Sequence, residues 1–279
     1  MDSIAICAIF KNEARYLLEW IGFHRMIGVD HFVLYDNASS DGGAALIRTS
    51  PFARYVTLVD WPMQGGQLPA YADFIQRHAR RFTWAAFIDL DEYIHPLETD
   101  TIRPLLARYD GFSGVLLHWL VFGPSGHEAS PDGLTIANYV MRVPDATPVN
   151  QHVKSLLRTH DLRDAHSTPH IMVSLGPVCN TRGQRIPAHA RHDPPCHDAI
   201  VLNHYLTRSA EDWQVKMQRG RADDPPGSER PFPSYQFDHL SNDARVEDRR
   251  ITRFVPRLRW VMRDAPAAPP VELVASAAD

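Results

Sequence analysis

Residues 3–28 read SIAICAIFKNEARYLLEWIGFHRMIG, and the change of period inside this stretch decides the fold class. Ser3 to Phe10 is an apolar run closed by Lys11-Asn12-Glu13, the pattern of a short buried strand. From Glu13 the pattern shifts to three- and four-residue steps (Tyr16, Leu17, Trp20, Ile21, His24, Ile27), which predicts an amphipathic helix ended by Gly28. Outward from there the alternation repeats. His31 to Tyr35 reads as a strand, Asp36 to Gly43 as a polar turn, and Ala44 to Arg48 as a helix. Tyr55 to Asp60 is a third strand, Ala70 to Arg80 a helix, and Trp84 to Ile88 a fourth strand that ends at Asp89. Such alternation predicts an α/β protein with a Rossmann-like, mostly parallel sheet and helices on both faces. Ligands of such sheets sit beyond the carboxyl ends of the strands, where the polar clusters after strands one, two and four all fall.

Gly114 to Val121 predicts a further strand, followed by the loop Phe122-Gly-Pro-Ser-Gly-His127-Glu128. From Asn150 to Asn203 the chain is rich in Pro and His and reads as irregular loops with short strands. Asp212 to Gly220 reads as helical, 223–233 as a loop or linker, Arg245 to Arg263 as a basic segment, and the tail from Ala265 as disordered.

The chain has 279 residues and a net charge of −4, which suits one substantial α/β domain and argues against nucleic acid as a partner, since phosphate neutralisation needs a basic face. Three cysteines (Cys7, Cys179, Cys196) make no disulfide framework. The N-terminus lacks the basic region of a signal peptide, and no apolar run is long enough to span a bilayer. A cytoplasmic location is expected.

Phe87-Ile88-Asp89-Leu90-Asp91-Glu92-Tyr93 sets acids at alternate positions directly after an apolar strand. In extended backbone, residues two apart point to one side, so Asp89 and Asp91 are expected to face a common centre. Hard oxygen ligands with room for water suit Mn²⁺ or Mg²⁺, whose remaining positions a phosphate would fill. A solvated acidic turn is the plainer reading. The place of the motif, at the end of a buried strand among other polar strand ends, favours the cation.

Four linked motifs carry a resemblance: 11–20 (KNEARYLLEW), 28–41 (GVDHFVLYDNASSD), 87–93 (FIDLDEY) and 203–216 (NHYLTRSAEDWQVK). Together they resemble glycosyltransferase family 92 and related family-2-like bacterial glycosyltransferases, over roughly residues 4 to 220. Tyr93 stands where that family often has Phe. The resemblance implies a GT-A fold over 1–222, with a donor half of about 1–95 and an acceptor half of about 96–222. A linker and basic helical segment (223–264) and the tail (265–279) would follow. It implies transfer of a sugar, galactose with inversion as the model case, from a uridine diphosphate donor to a glycan or lipid-linked acceptor. Carried over, Asn12, Glu13, Asp36, Asn37 and Asp41 would meet the nucleotide, and Asp89, Asp91 and His204 the metal. Lys216 and Arg219 would neutralise the diphosphate. Read from the residues alone, Asp36 equally suits an Asx-type turn, His204 a core histidine, and Lys216 with Arg219 a solvated helix face.

An inverting transfer needs a general base, and the loop bearing His127, Glu128 and Asp132 is where one is expected. His189-x-x-His192-x-x-x-Cys196 has zinc-like spacing but no paired Cys-x-x-Cys beside it, and loop histidines are the simpler reading. His166 and His170 are expected near the acceptor or diphosphate. The stretch from Arg249 to Trp260, with apolar residues opposite arginines, would either lie on an anionic membrane or pack on the core, with a kink at Pro256. A nucleotidyltransferase making nucleotide sugars and a non-catalytic carbohydrate-binding module are the rival functions. The first would carry a glycine-rich basic loop where this chain has Lys11-Asn-Glu-Ala-Arg15.

Overall fold

The computed structural model describes residues 2–165, 167–224 and 235–265; His166, most of the expected linker and nearly all of the expected tail lie outside the described residues. Strands and helices alternate as the periods dictate: β1 (Ile4–Phe10), α1 (Ala14–Met26), β2 (His31–Asp36), α2 (Gly43–Thr49), β3 (Val56–Asp60), α3 (Gln67–Arg77) and β4 (Trp84–Phe87). Next come β5 (Glu92–Pro96), α4 (Arg103–Leu106), β6 (Gly114–Val121), α5 (Thr135–Asn138), β7 (Met141–Arg142) and β8 (Val153–Arg158). β9 (Leu162–Ala165) pairs with β10 (Met172–Ser174), and β11 (Val178–Cys179) with β12 (Arg185–Ile186). The chain continues through β13 (Ile200–His204), α6 (Ala210–Arg219), α7 (Tyr235–Asp243), β14 (Val246–Glu247) and α8 (Val255–Met262).

The large sheet runs β12-β11-β6-β8-β4-β1-β2-β3, with β13 joined to β5 and β6. Its strands β3, β2, β1 and β4 are all parallel, and β8 enters antiparallel between β4 and β6. Period-two alternation divides β1 between two cores. Ile4, Ile6, Ala8 and Phe10 pack with Leu17, Trp20 and Ile21 of α1, while Ala5, Cys7 and Ile9 pack with Tyr71 and Phe74 of α3. Helices thus cover both faces, and the α/β, Rossmann-like architecture is the one expected. Among the described residues no helix is long and apolar enough to cross a membrane.

Three differences from the sequence reading have clear causes. First, α1 is buried nearly all round rather than amphipathic. Glu19 accepts from the amides of Thr135 and Ile136 (2.8 and 3.3 Å), and His24 accepts from the amide of Ile94 (3.2 Å), so both polar groups are satisfied inside. Burial pushes the His24 imidazole down to about 3.

Second, the stretch read as irregular contains β8, a central strand. Lys154 and Ser155 interrupt its apolar run, yet both are buried.

Third, the basic segment is not one helix from Arg249. A 3-10 turn, Arg250–Phe254, leads into α8, and Pro256 sits in the first turn, where its missing N–H costs nothing. Leu258 is fully buried, and α8 crosses α1 at Gly22, where an added Cβ would lie 3.0 Å from Met262 Sδ. The apolar face therefore packs on the core. Trp260 is left outward at 63% exposure beside the exposed Arg257 and Arg259.

Candidate active site

The carboxyl ends of β1, β2, β4 and β13 meet the inner face of α6 around a cavity of about 240 Å³. Asn12, Glu13, Asp41, Asp91, Lys216 and Arg219 all line it. Asn12 adopts a left-handed conformation (φ 52°) and takes the Ser40 amide on its Oδ1 (2.7 Å), which folds the β1 end over the loop after β2.

The two aspartates do not share the extended geometry expected of them. Leu90-Asp91 is a turn closed by the Glu92 amide donating to the Asp89 carbonyl (3.1 Å), while the Glu92 carboxylate takes the Asp89 amide (2.9 Å). This reciprocal pair curls the chain, so the carboxylates diverge. Asp89, at 35% side-chain exposure, accepts from Gln67 Nε2 and Lys154 Nζ (2.7 Å each). Asp91 faces the cavity, with Lys216 Nζ 2.6 Å from Oδ2 and His204 Nε2 3.4 Å from Oδ1. Burial alone would raise the Asp91 carboxyl, but Lys216 and His204 hold it well below the usual range.

Behind Asp91 lies an unusual buried group. Glu92 is 0% exposed, accepts from Trp119 Nε1 (2.6 Å) and lies 3.5 Å from Lys154 Nζ, itself 1% exposed. Burial pushes the Glu92 carboxyl up to about 8 against the pull of Lys154, with Asp89 and Asp91 adding to the rise. His204 Nδ1 is buried without a hydrogen-bond partner and faces Glu92 Oε1 at 4.0 Å.

The other expected nucleotide contacts have visible local roles. Asp36 accepts the Ser39 amide (2.9 Å), the Asx-type turn. Asn37 donates to the carbonyls of Trp61 and Met63 (2.8 Å each). Asp41 accepts from the amides of Ala14 (2.7 Å) and Gly43 (3.0 Å), capping α1 and α2 together. No side chain at Glu13 caps α1, so Asp41→Ala is expected to lose about 1–2 kcal/mol of stability in denaturant unfolding. Glu13 instead pairs with Arg219 (2.8 Å) and Arg208 (3.5 Å).

His127, Glu128 and Asp132 do not line the cavity; they border its rim. The carbonyls of His127 and Glu128 receive the first amides of α6 (Ala210, 3.1 Å; Glu211, 3.0 Å), and Arg15 reaches the Pro131 carbonyl (3.1 Å). The His127 ring is tied to the Asn138 carbonyl (3.2 Å), and the Asp132 carboxylate is fully exposed, 3.8 Å from Arg15. The zinc-like spacing does not converge. Cys196 Sγ contacts Thr181 Oγ1 (3.2 Å) and His192 Nε2 bonds the His189 carbonyl (3.0 Å). His170 stands 5.2 Å from Trp119, ring to ring, with His152 alongside.

Four residues escaped the sequence reading. Lys154 had a readable signal, a lone cation within an apolar run, and Glu92 adjoins the motif. Asp212 was visible as the capping box Ser209-x-x-Asp212, which forms, and its carboxylate also takes the hydroxyls of Tyr16 and Tyr139. Arg208 gave no signal. It is buried in a left-handed conformation (φ 51°), over the Tyr16 ring (3.6 Å) and donating to the Leu90 carbonyl (3.1 Å).

Fold and site together define an α/β protein with an ion-paired ligand cavity at the carboxyl edge of its parallel strands. The chain belongs to glycosyltransferase family 92, whose model matches residues 3–179. A family 92 protein of Oryza sativa subsp. japonica is 33% identical over 162 residues, covering 56% of this chain and 27% of that protein. One from Arabidopsis thaliana is 24% identical over 253 residues, covering 80% and 41%. The chain spans less than half the length of these relatives. Among solved structures, S. aureus TarS 1–349 in complex with UDP is similar at a TM-score of 0.41 and 12% identity, over 77% of this chain and 63% of that one.

Proposed function

We propose that this chain transfers a hexosyl group, galactose in the first instance and with inversion, from a uridine diphosphate donor to a glycan or lipid-linked acceptor. The observation that carries the reading is the cavity itself. It places Asp91 among Lys216, Arg208 and Arg219 at the carboxyl ends of parallel strands, where a diphosphate finds both cations and strand-end amides.

The cation of this reading is Mn²⁺ or Mg²⁺, held by Asp91 and His204. Their facing atoms, 3.4 Å apart, suit neighbouring positions around one ion. The buried Nδ1 of His204 faces Glu92 at 4.0 Å, and Nε2, on the Asp91 side of the ring, would be the ligand. Among the described residues no three His, Cys, Asp or Glu side chains converge, which suits a cation that completes its shell with phosphate and water. Bound there, the ion would neutralise charge on the departing diphosphate. Asp89, half-buried and held by Lys154 and Gln67, would orient the motif from the side.

Arg219 and Arg208 steady Glu13 and the β1 end that would meet the nucleotide. The base in this reading comes from the rim loop, where Glu128 is exposed and its main chain is pinned to α6. Peripheral contact with an anionic membrane would rest on Trp260 and its neighbouring arginines, since the apolar face of α8 is covered. We place the protein in the cytoplasm on this reading.

The test is UDP formation from UDP-galactose and other nucleotide sugars in Mn²⁺, with and without glycan acceptors. Release above the enzyme-free rate is expected. Pyrophosphate formed from UTP and a sugar phosphate would mark the nucleotidyltransferase, and glycan binding with no turnover of any donor would mark the binding module.

A further inference from the structure

We infer that Lys216 holds Asp91 closed to a bare divalent cation and yields it only when a nucleotide diphosphate arrives, so that metal and nucleotide enter together. The inference rests on the donor-site reading above. Each aspartate of the motif carries a lysine, but the two lysines differ in kind.

Lys154 comes from the central strand β8, is 1% exposed, and is shared between Asp89 (2.7 Å) and Glu92 (3.5 Å). With two carboxylates behind it and the sheet around it, it stays where it is. Lys216 stands on the second turn of α6 and lines the cavity. It is held by Asp91 Oδ2 (2.6 Å) and the Leu206 carbonyl (2.9 Å). Its flexible stem lets the ammonium turn toward the cavity.

While Lys216 sits on one oxygen of Asp91, a dication approaching the other oxygen meets a like charge less than about 6 Å away, a repulsion that partial burial screens only weakly. The Arg208 guanidinium adds to this, since it too acts on Asp91. A nucleotide diphosphate reverses the balance. Its oxygens offer Lys216 a second anionic partner, and they offer the cation the ligands that Asp91 and His204 do not supply. The same lysine then opposes metal alone and supports metal with nucleotide.

The experiment is calorimetry on the full chain, titrating Mn²⁺ alone and then UDP in saturating Mn²⁺, for the wild type, Lys216→Met and Lys216→Gln. Two variants guard against one that folds poorly, and thermal melts confirm folding. Expected is Mn²⁺ binding about tenfold or more tighter in both variants, with UDP binding about tenfold weaker. Effects of opposite sign are the signature, since a merely structural lysine would weaken both. If the wild type binds UDP in Mn²⁺ but the variants bind Mn²⁺ alone no more tightly, the inference is overturned while the donor site stands. If the wild type binds no UDP, the donor-site reading falls and takes the inference with it.

Discussion

Asp91→Ala is expected to lower kcat/KM for donor turnover on the order of 10²–10³-fold, the scale of losing a fixed group that stabilises transition-state charge. The same substitution should leave UDP binding indifferent to Mn²⁺. Asp91 alone among the motif acids lines the cavity and touches both Lys216 and His204. Without it, Lys216 and His204 lose their shared anion, and the proposed cation would lose Asp91 as a ligand. Asp89→Ala should cost less, about tenfold, because Asp89 works through Lys154 and Gln67. Steady-state UDP release by the two variants checks the ranking. A larger loss at Asp89 than at Asp91 would mean that the metal, or the donor, sits on the other side of the motif.

Lys154→Met should be the most destabilising single change near the site when unfolding is followed at about pH 9, by about 3–5 kcal/mol. Above the Glu92 value of about 8, it strands that carboxylate as a buried unpaired anion. Denaturant unfolding would show this directly, with a melting temperature lower by roughly 10 °C. Adding Glu92→Gln should restore part of the loss, since the amide needs no counter-ion, although its single oxygen can accept from only one of Trp119 and the Asp89 amide. If Lys154→Met unfolds with the wild-type midpoint even at that pH, Lys154 is not what lets Glu92 carry charge.

Most of the parallel half was legible because its inner strands are apolar on both faces and each ends at a polar turn. Ile4–Phe10, His31–Asp36 and Trp84–Phe87 show this directly. The antiparallel insertion was not. β8 carries a buried lysine whose partners lie 62 and 65 residues earlier in the chain, at Glu92 and Asp89, and local periodicity cannot register a charge neutralised across a sheet. The same limit applies at the site. Spacing could bring Asp89 and Asp91 to notice, but the turn that separates them depends on the Glu92 carboxylate reaching back to an amide. Lys216 and Arg219 read as a solvated face because their partners, Asp91 and Glu13, lie about 125 and 206 residues away along the chain. Asp41 shows the converse: a residue singled out for the nucleotide, and lining the cavity, also caps two helix starts.

The central claim, a nucleotide diphosphate held over Asp91, is tested most directly by a crystal structure of the chain grown with UDP and Mn²⁺, using the anomalous signal of manganese. The account predicts one anomalous peak within bonding distance of Asp91 and His204, with the diphosphate on the cavity side of it against Lys216. A peak among other residues, or a nucleotide bound away from the β1–α1 turn and α6, would contradict it.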